Sequence, residues 1–568
     1  MIATKQNKLH SWLIDFVMLS ILLGVFYAIW LGAHALFTPD EGRYSEVARE
    51  MVVSGDYVTP RLNGVPFLDK PIFYYWLQAS AIQLFGLKEW ALRFWPAFIG
   101  VLGCLLVYGA GRQFFNRRTG VIAAILLSTS PLYYGAAHYA NLDLEVAVLI
   151  GNSLLFFLLG MESSHSKMRS WFLFFAYVFM GLAALTKGLI GIVFPAMIIG
   201  SWILILNRWS ILKEMRIVTG AIIFSLITVP WYVLVQKANP QFFHFFFVVQ
   251  QFSRYLTQQS FNNQTSFWFY IPIIFAGFFP WSIFCIQSLW QSIKNIFVNR
   301  QEYRVELFLL LWVIFVFIFF SIPKSKTVGY ILPLFQPLAL LVGCYFSRAW
   351  ERAQQKGIQF GLLNYVLISV ATFVMCWLVV SYKWMDITPE FGNYIFSAGG
   401  LFLFSGILIF FLRKKNLQTI LSCLITTAVL FLFILSASSQ VSNVRSIKPL
   451  AMELKSLIKP DDEVVTFYRY YQDLPIYIEK RIVIVADWKA PDIAQNDNWL
   501  RELWYGMNYQ DTSQWLIDEA TFWTRWKSDK RLYVLTEERY LDKLREKAVK
   551  YYQIAQTNST VLISNHPV

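Results

Sequence analysis

The run LQTILSCLITTAVLFLFILSA, from Leu417 to Ala437, holds no charged residue and as a helix is long enough to cross about 30 Å of hydrocarbon. Arg413, Lys414 and Lys415 stand just before it, and a charge-rich stretch follows it. Working back from this run, the same test finds thirteen candidate spans. They lie near 11–34, 90–111, 119–136, 140–160, 170–186, 188–206, 216–236, 267–290, 305–322, 329–348, 361–381, 394–412 and 417–437. The chain is therefore expected to be an α-helical polytopic membrane protein with about thirteen transmembrane helices over residues 1–439. A soluble domain over 440–568 is expected to follow.

Composition agrees. Of 568 residues 57% are hydrophobic and 15% charged, against about a quarter charged in a soluble domain. The net charge of +14 does not point to nucleic acid. The tail carries 18 basic and 18 acidic residues, so the whole excess lies among the spans, and no basic stripe with interleaved aromatics appears in the tail. Short loops that are inside when the N-terminus is cytoplasmic hold 19 of the 31 remaining basic residues, which is the bias of cytoplasmic loops. An odd number of spans then puts the tail outside.

The five cysteines, Cys104, Cys285, Cys344, Cys376 and Cys423, all fall within spans, so no disulfide framework is expected in the tail. The histidines form no His-Glu-x-x-His pair, and no phosphate-cradling glycine-rich loop is present. The tail alternates helix and strand patterns and reads as a small α/β domain. Helices are expected near 446–458, 498–506, 513–526 and 537–549, with strands near 464–468, 482–486, 531–536, 551–556 and 560–564.

Two outside segments, about 35–89 and 237–266, are too long for simple connections. In the first, Thr38 suits a helix N-cap and Pro39 the first helical position. Tyr44, Val47, Ala48, Met51 and Val52 follow at helical spacing, which suggests an amphipathic helix on the membrane surface. A second segment after Pro71 carries Phe73, Tyr74, Tyr75 and Trp76, residues suited to the interface. Seven of the 17 acids before residue 440 lie in this loop: Asp40, Glu41, Glu46, Glu50, Asp56, Asp69 and Glu89. Interleaved with Arg43, Arg61 and Lys70, they can divide labour, a carboxylate taking a proton while cations neutralise a departing phosphate. The plainer reading has Asp40 and Glu41 capping a helix and Arg43, Glu46, Arg49 and Glu50 pairing along its surface. We assign Glu46, Arg49 and Glu50 to surface pairs and Asp40 to chemistry, because an ionisable group at the membrane boundary is costly without a task.

The run Asp40-Glu-x-Arg-Tyr-x-Glu-x-Ala-Arg-Glu-Met51, then Gly55-Asp56, Pro60-Arg-Leu-x-Gly64, Lys70-Pro71 and Tyr75-Trp76, resembles the lipid A 4-amino-4-deoxy-L-arabinose transferases. More broadly it resembles the GT-C membrane glycosyltransferases that include the protein O-mannosyltransferases. Asp143, Leu185-Thr-Lys-Gly188, Phe267-Trp-Phe-Tyr270, Phe279-Pro-Trp281 and Ser325-Lys-x-x-x-Tyr330-Ile-Leu-Pro333 extend the likeness along the membrane part.

The resemblance implies an integral membrane enzyme of a bacterial cytoplasmic (inner) membrane. It would move a sugar, with inversion, from a polyprenyl-phosphate donor to a lipid, glycan or protein acceptor at the outer face. It implies Asp40 as base, Lys70 and Tyr44 at the donor phosphate, and Asp143 as a second acid. Asp69, with Glu41, would be the candidate ligand of a divalent ion (Zn, Mg or Mn); the family usually has Glu at position 69. Lys324, Lys326 and Arg254 are the further phosphate candidates, with Tyr330 beside the lysines. Lys187 reads as a snorkelling span-end lysine. Where the transferases commonly show Glu-His, this chain has Gln250-Gln251, which leaves the acceptor open. A transporter or flippase, or a non-catalytic polyprenyl-lipid binding protein, is the alternative; no convincing internal repeat favours the first.

Overall fold

A computed structural model describes residues 2–253, 265–350, 356–384, 387–441, 446–496, 498–547, 549–557 and 559–567. The chain forms two compact units. One comprises Met1–Ala33, Arg93–Pro230 and Thr265–Ser442, the other His34–Leu92, Trp231–Gln264 and Asn443–Val568.

The first unit is a helical bundle of an integral membrane protein. Among the described residues ten helices are long and apolar enough to cross a bilayer. Two bent pairs, Arg117–Ser128 with Pro131–Ala137 and Phe267–Gly277 with Trp281–Val298, pass the test together, and Ile190–Leu206 is a shorter apolar helix. These segments overlap the thirteen expected spans, but among the described residues only ten of them, or twelve if each bent pair is one span, are long and apolar enough to cross. An apolar helix does not reveal from sequence whether it faces protein or lipid, but burial separates the two cases. The helix Leu142–Glu162 is 89% buried and forms the centre of the bundle, whereas Lys356–Ser381 is only 11% buried. At one end of the bundle Asp15 accepts from Arg112 (2.5 Å) and Arg117 (2.7 Å), binding the first helix to its neighbours.

The second unit contains a two-stranded hairpin, β1 (Arg61–Leu62) with β2 (Val65–Pro66), and a six-stranded sheet. In order across the sheet the strands are β5 (Leu516–Ile517), β4 (Val483–Val485), β3 (Glu463–Phe467), β6 (Leu532–Glu537), β8 (Thr560–Ser564) and β7 (Tyr552–Thr557). Strands β3, β4, β5 and β6 are parallel, while β8 runs antiparallel to both β6 and β7. One face carries the core, with Val465, Phe467, Val485, Phe522, Val534, Leu544 and Val561.

Against this domain lies the helix Asp40–Ser54, and here two expectations fail. Pro39, not Thr38, precedes the helix, and the start is held instead by Glu41, whose carboxylate accepts from the Phe37 backbone N–H at 2.8 Å. Nor does the helix present a polar face: Glu46, Arg49 and Glu50 are 0%, 4% and 2% exposed. Arg49 grips Glu46 with two bonds of 2.7 Å, while Arg481 of the tail reaches Glu50 at 2.7 Å. The tail covers what local pattern assigns to the surface, and buried charges persist only when paired. At Gly42 the helix runs close against the tail backbone, where a Cβ would stand 2.6 Å from the Asp473 backbone N.

Asp473 fastens this junction. Its Oδ2 accepts from Ser446 Oγ (2.9 Å) and from the Ile447 N–H (3.1 Å). Burial pushes the carboxyl up to about 7 despite these bonds. The folded state thus holds a proton that the unfolded chain, at about 3.8, releases. This contribution to stability is full below the unfolded value and falls as pH rises toward about 7, by about 1.4 kcal/mol per pH unit. Thermal unfolding should accordingly occur at a higher temperature at pH 5 than at pH 7.5. Asp473→Asn should reduce the difference; an unchanged pH slope in that variant would show that Asp473 is not the titrating group.

Candidate functional site

Each unit carries a group of charged residues that sequence reading singled out. In the second unit Asp40 opens the helix Asp40–Ser54 and is ion-paired to Arg43, one turn on; Arg43 is also paired to Glu502 from the helix Trp499–Met507 of the tail. Burial works against the Arg43 charge, yet Glu502 and Asp40 outweigh it and hold the guanidinium charged. Its Cζ stands 5.2 Å from the centre of the Tyr44 ring. Tyr44 is itself 6% exposed and meets Tyr74 edge-on at 5.8 Å and Tyr75 at 6.1 Å. Asp69 is near enough for its charge to act on Arg43, Tyr75 and Tyr509. The Lys70 ammonium donates to the Asp69 carbonyl at 3.3 Å.

The tail enters this group through one helix and the loop after it. Beyond Glu502, Tyr505 meets Phe245 of the second long segment at 5.3 Å. Gln510 donates to the Gly64 carbonyl at 2.5 Å. That segment is also tied to the first loop, with the Trp231 indole donating to the Val58 carbonyl (3.0 Å) and Asn239 to Thr59 Oγ1 (2.9 Å).

In the first unit Asn141 caps the helix Leu142–Glu162, accepting from the Asp143 N–H at 2.9 Å. The Asp143 side chain serves elsewhere, in an ion pair with Lys187, and the two side chains are only 16% and 12% exposed. The Lys187 ammonium also sits 4.1 Å above the Tyr330 ring. A side chain at Gly329 would collide with the Asp143 carboxylate, so the glycine lets the 328–334 turn close on the pair. Lys187 is thus part of the site rather than a snorkelling residue, and its partner lies 44 positions upstream, beyond any local pattern.

The remaining lysines separate. Lys326 is 4% exposed and spends its ammonium on the carbonyls of Ser266 (2.9 Å) and Thr265 (3.3 Å), and burial lowers its pKa. It braces the 265–266 segment. Lys324 is exposed. Arg254 lies outside the described residues. Sequence reading weighed Arg43 as a phosphate-neutralising cation or a surface pair and missed Glu502; nothing local marks an acid whose partner is 459 positions away.

Among the described residues no three His, Cys, Asp or Glu side chains gather to hold a metal ion. Glu41, fully buried, turns to the Phe37 backbone, and Asp69 stands among tyrosines.

Comparison with known proteins shows what the chain is similar to. Residues 69–233 match the profile of the dolichyl-phosphate-mannose-protein mannosyltransferases, and residues 450–565 that of the aminoarabinose transferase C-terminal domain. The crystal structure of ArnT from Cupriavidus metallidurans bound to undecaprenyl phosphate superposes with a TM-score of 0.84 at 25% identity, covering 98% of either chain. The chain is similar in fold to the GT-C glycosyltransferases. Within that superfamily, the undecaprenyl phosphate-alpha-4-amino-4-deoxy-L-arabinose arabinosyl transferase of Pectobacterium atrosepticum is 28% identical over 530 residues, 90% of each chain. That of Erwinia tasmaniensis is 33% identical over 331 residues, 57% of this chain. The match spans 58% of the length of the Erwinia relative. The end-to-end likeness lies in the fold, and the stronger identity is confined to part of the chain.

Proposed function

We propose that the protein is a membrane glycosyltransferase that takes a sugar from polyprenyl phosphate and passes it, with inversion, to a hydroxyl of a lipid, glycan or protein acceptor. The observation that carries this reading is the full-length likeness to a structure that holds undecaprenyl phosphate. The loop charge bias supports a cytoplasmic N-terminus, with the site and tail on the outer side of a bacterial inner membrane. The relatives named above point to a 4-amino-4-deoxy-arabinose class of sugar, and a lipid of the outer leaflet is the first acceptor to test.

In this reaction the acceptor oxygen bonds to the sugar C1 as the C1–O bond to phosphate breaks. The polyprenyl phosphate leaves with the electron pair, and Asp40 takes the acceptor proton. Arg43 fixes the carboxylate, itself steadied by Glu502. Lys70 and Tyr44 meet the phosphate, while in the other unit Asp143 and Lys187 order the turn that carries Tyr330. No step is routed through a metal.

Mass spectrometry of membranes with and without the protein tests the reading. It predicts a sugar-sized mass gain on a lipid or protein, and identical acceptor pools would contradict it. Lys70→Ala should weaken binding of the polyprenyl-phosphate donor about tenfold or more, the scale of a lost charge-assisted hydrogen bond, with little effect on folding. Unchanged affinity would remove Lys70 from the phosphate site.

A further inference from the structure

The tail domain carries a cluster of charged and aromatic side chains that the reaction above does not use. It lies at the carboxyl end of the parallel strands. From β3 the chain crosses to β4 and β5 on one side, then returns to β6 on the other side of β3. The order of strands reverses there, and in open α/β sheets the crevice at such a reversal is where ligands bind.

Side chains from both strand ends meet across this crevice. Tyr468, directly after β3, takes a φ of +55°, a left-handed conformation uncommon for a bulky residue. Its ring stacks at 5.3 Å on that of Tyr540, from the turn after β6. Lys543 stands 4.0 Å from the centre of the Tyr468 ring and Arg539 4.8 Å from that of Tyr540, so each ring of the pair holds a cation. The Tyr468 hydroxyl donates to Glu519 at 2.6 Å, and Lys543 donates to the same oxygen at 3.2 Å. Glu537, at the end of β6, joins the two loops. Arg469 approaches one of its oxygens at 3.5 Å and Arg539 the other at 2.6 Å. The carboxylate is half-buried and both arginines are exposed. One carboxylate balances one charge, so two guanidiniums gathered on it leave a second charge and most of their N–H donors to an incoming group. A phosphate monoester, with three acceptor oxygens and nearly two negative charges, matches a pair of guanidinium forks.

The loop after β3 also runs to the helix Asp40–Ser54. It starts with Tyr468 and Arg469, and its Gln472 and Asp473 lie with their backbone against Gly42. Arg469 and Asp473 are four peptide steps apart, at most about 15 Å.

We propose that the carboxyl ends of β3 and β6 form a phosphate-monoester site, in which Arg469 and Arg539 hold the phosphate and Glu537 sets their spacing. The tyrosine pair, with Lys543 and Glu519, fixes the two loops. The site does not depend on the transferase reading; where that reading holds, it gives a phosphate-bearing acceptor a place near the helix that carries Asp40.

The test uses the full chain in phosphatidylcholine nanodiscs with glucose 6-phosphate and glucose as probes, and repeats the titration in nanodiscs that contain phosphatidic acid. Calorimetry gives the affinity, and amide hydrogen exchange gives the place. Glucose 6-phosphate should bind and slow exchange in 468–473 and 537–543, and glucose should do neither. The double variant Arg469→Ala, Arg539→Ala should weaken binding about 10- to 100-fold, the range of hydrogen bonds to a charged group. Both side chains are exposed, so its unfolding temperature should match the parent's. Arg539→Lys should weaken binding less than Arg539→Ala, since an ammonium keeps the charge without the fork. Loss of glucose 6-phosphate binding in the phosphatidic acid discs would assign the site to a lipid headgroup, and retention to a soluble phosphate. No binding, equal binding of glucose, protection elsewhere in the chain, or unchanged affinity in the double variant overturns the proposal.

Discussion

Asp40→Asn is expected to lower sugar transfer by about a hundred- to ten-thousand-fold, the contribution of a positioned general base, while donor affinity stays within about threefold. The amide keeps the shape of the carboxylate, so binding that depends on shape survives, but it cannot accept the acceptor's proton. The structure sharpens this expectation through Arg43. That guanidinium is half-buried and clamped between Asp40 and Glu502, so the carboxylate is held in one place. Turnover and donor binding of the purified variant, measured separately, decide the matter. A parallel fall in both would make Asp40 a binding residue instead of a base.

The second large effect concerns Asp143 and Lys187. Neither side chain has much access to solvent, and removing one member of such a pair leaves a charge without compensation, at a cost of about 3–5 kcal/mol. Asp143→Asn and Lys187→Met should each lower the unfolding temperature markedly and reduce transfer at least about a hundredfold. The double variant carries no unpaired charge, so it should recover most of the stability. It should not recover transfer, because Tyr330 then lacks the ammonium above its ring. A double variant as unstable as either single one would show that the pair does not balance charge. One that regains full transfer would limit the pair to holding the fold together.

The fold was largely legible because its strongest signals are local. Apolar runs of bilayer length declare themselves without knowledge of their neighbours, and so do the alternating strands of the tail. The tail elements that escaped are short: strand β5, inside the stretch 513–526 read as helix, has two residues, the turn of helix Ile493–Gln495 three and the helix Leu474–Ile478 five, too few for a period to show. The motif around Asp40 was equally legible as a motif. What sequence could not convey was its surroundings. The charged face of Asp40–Ser54 looked solvated because its neighbours Arg481 and Glu502 lie more than 400 positions away. Lys187 looked like a snorkelling residue for the same reason. Lys326 shows the converse: its place in the motif suggested a phosphate ligand, while its ammonium is engaged by backbone carbonyls.

The most direct measurement is a single-turnover reaction with purified protein in nanodiscs, undecaprenyl-phosphate-linked aminoarabinose as donor and lipid A as acceptor. Donor, product and the configuration at C1 are followed by mass spectrometry and NMR. The prediction is stoichiometric release of undecaprenyl phosphate with the sugar on the acceptor and inverted at C1. Donor that binds yet stays intact with lipid A, and with glycan and protein acceptors supplied in turn, would contradict it.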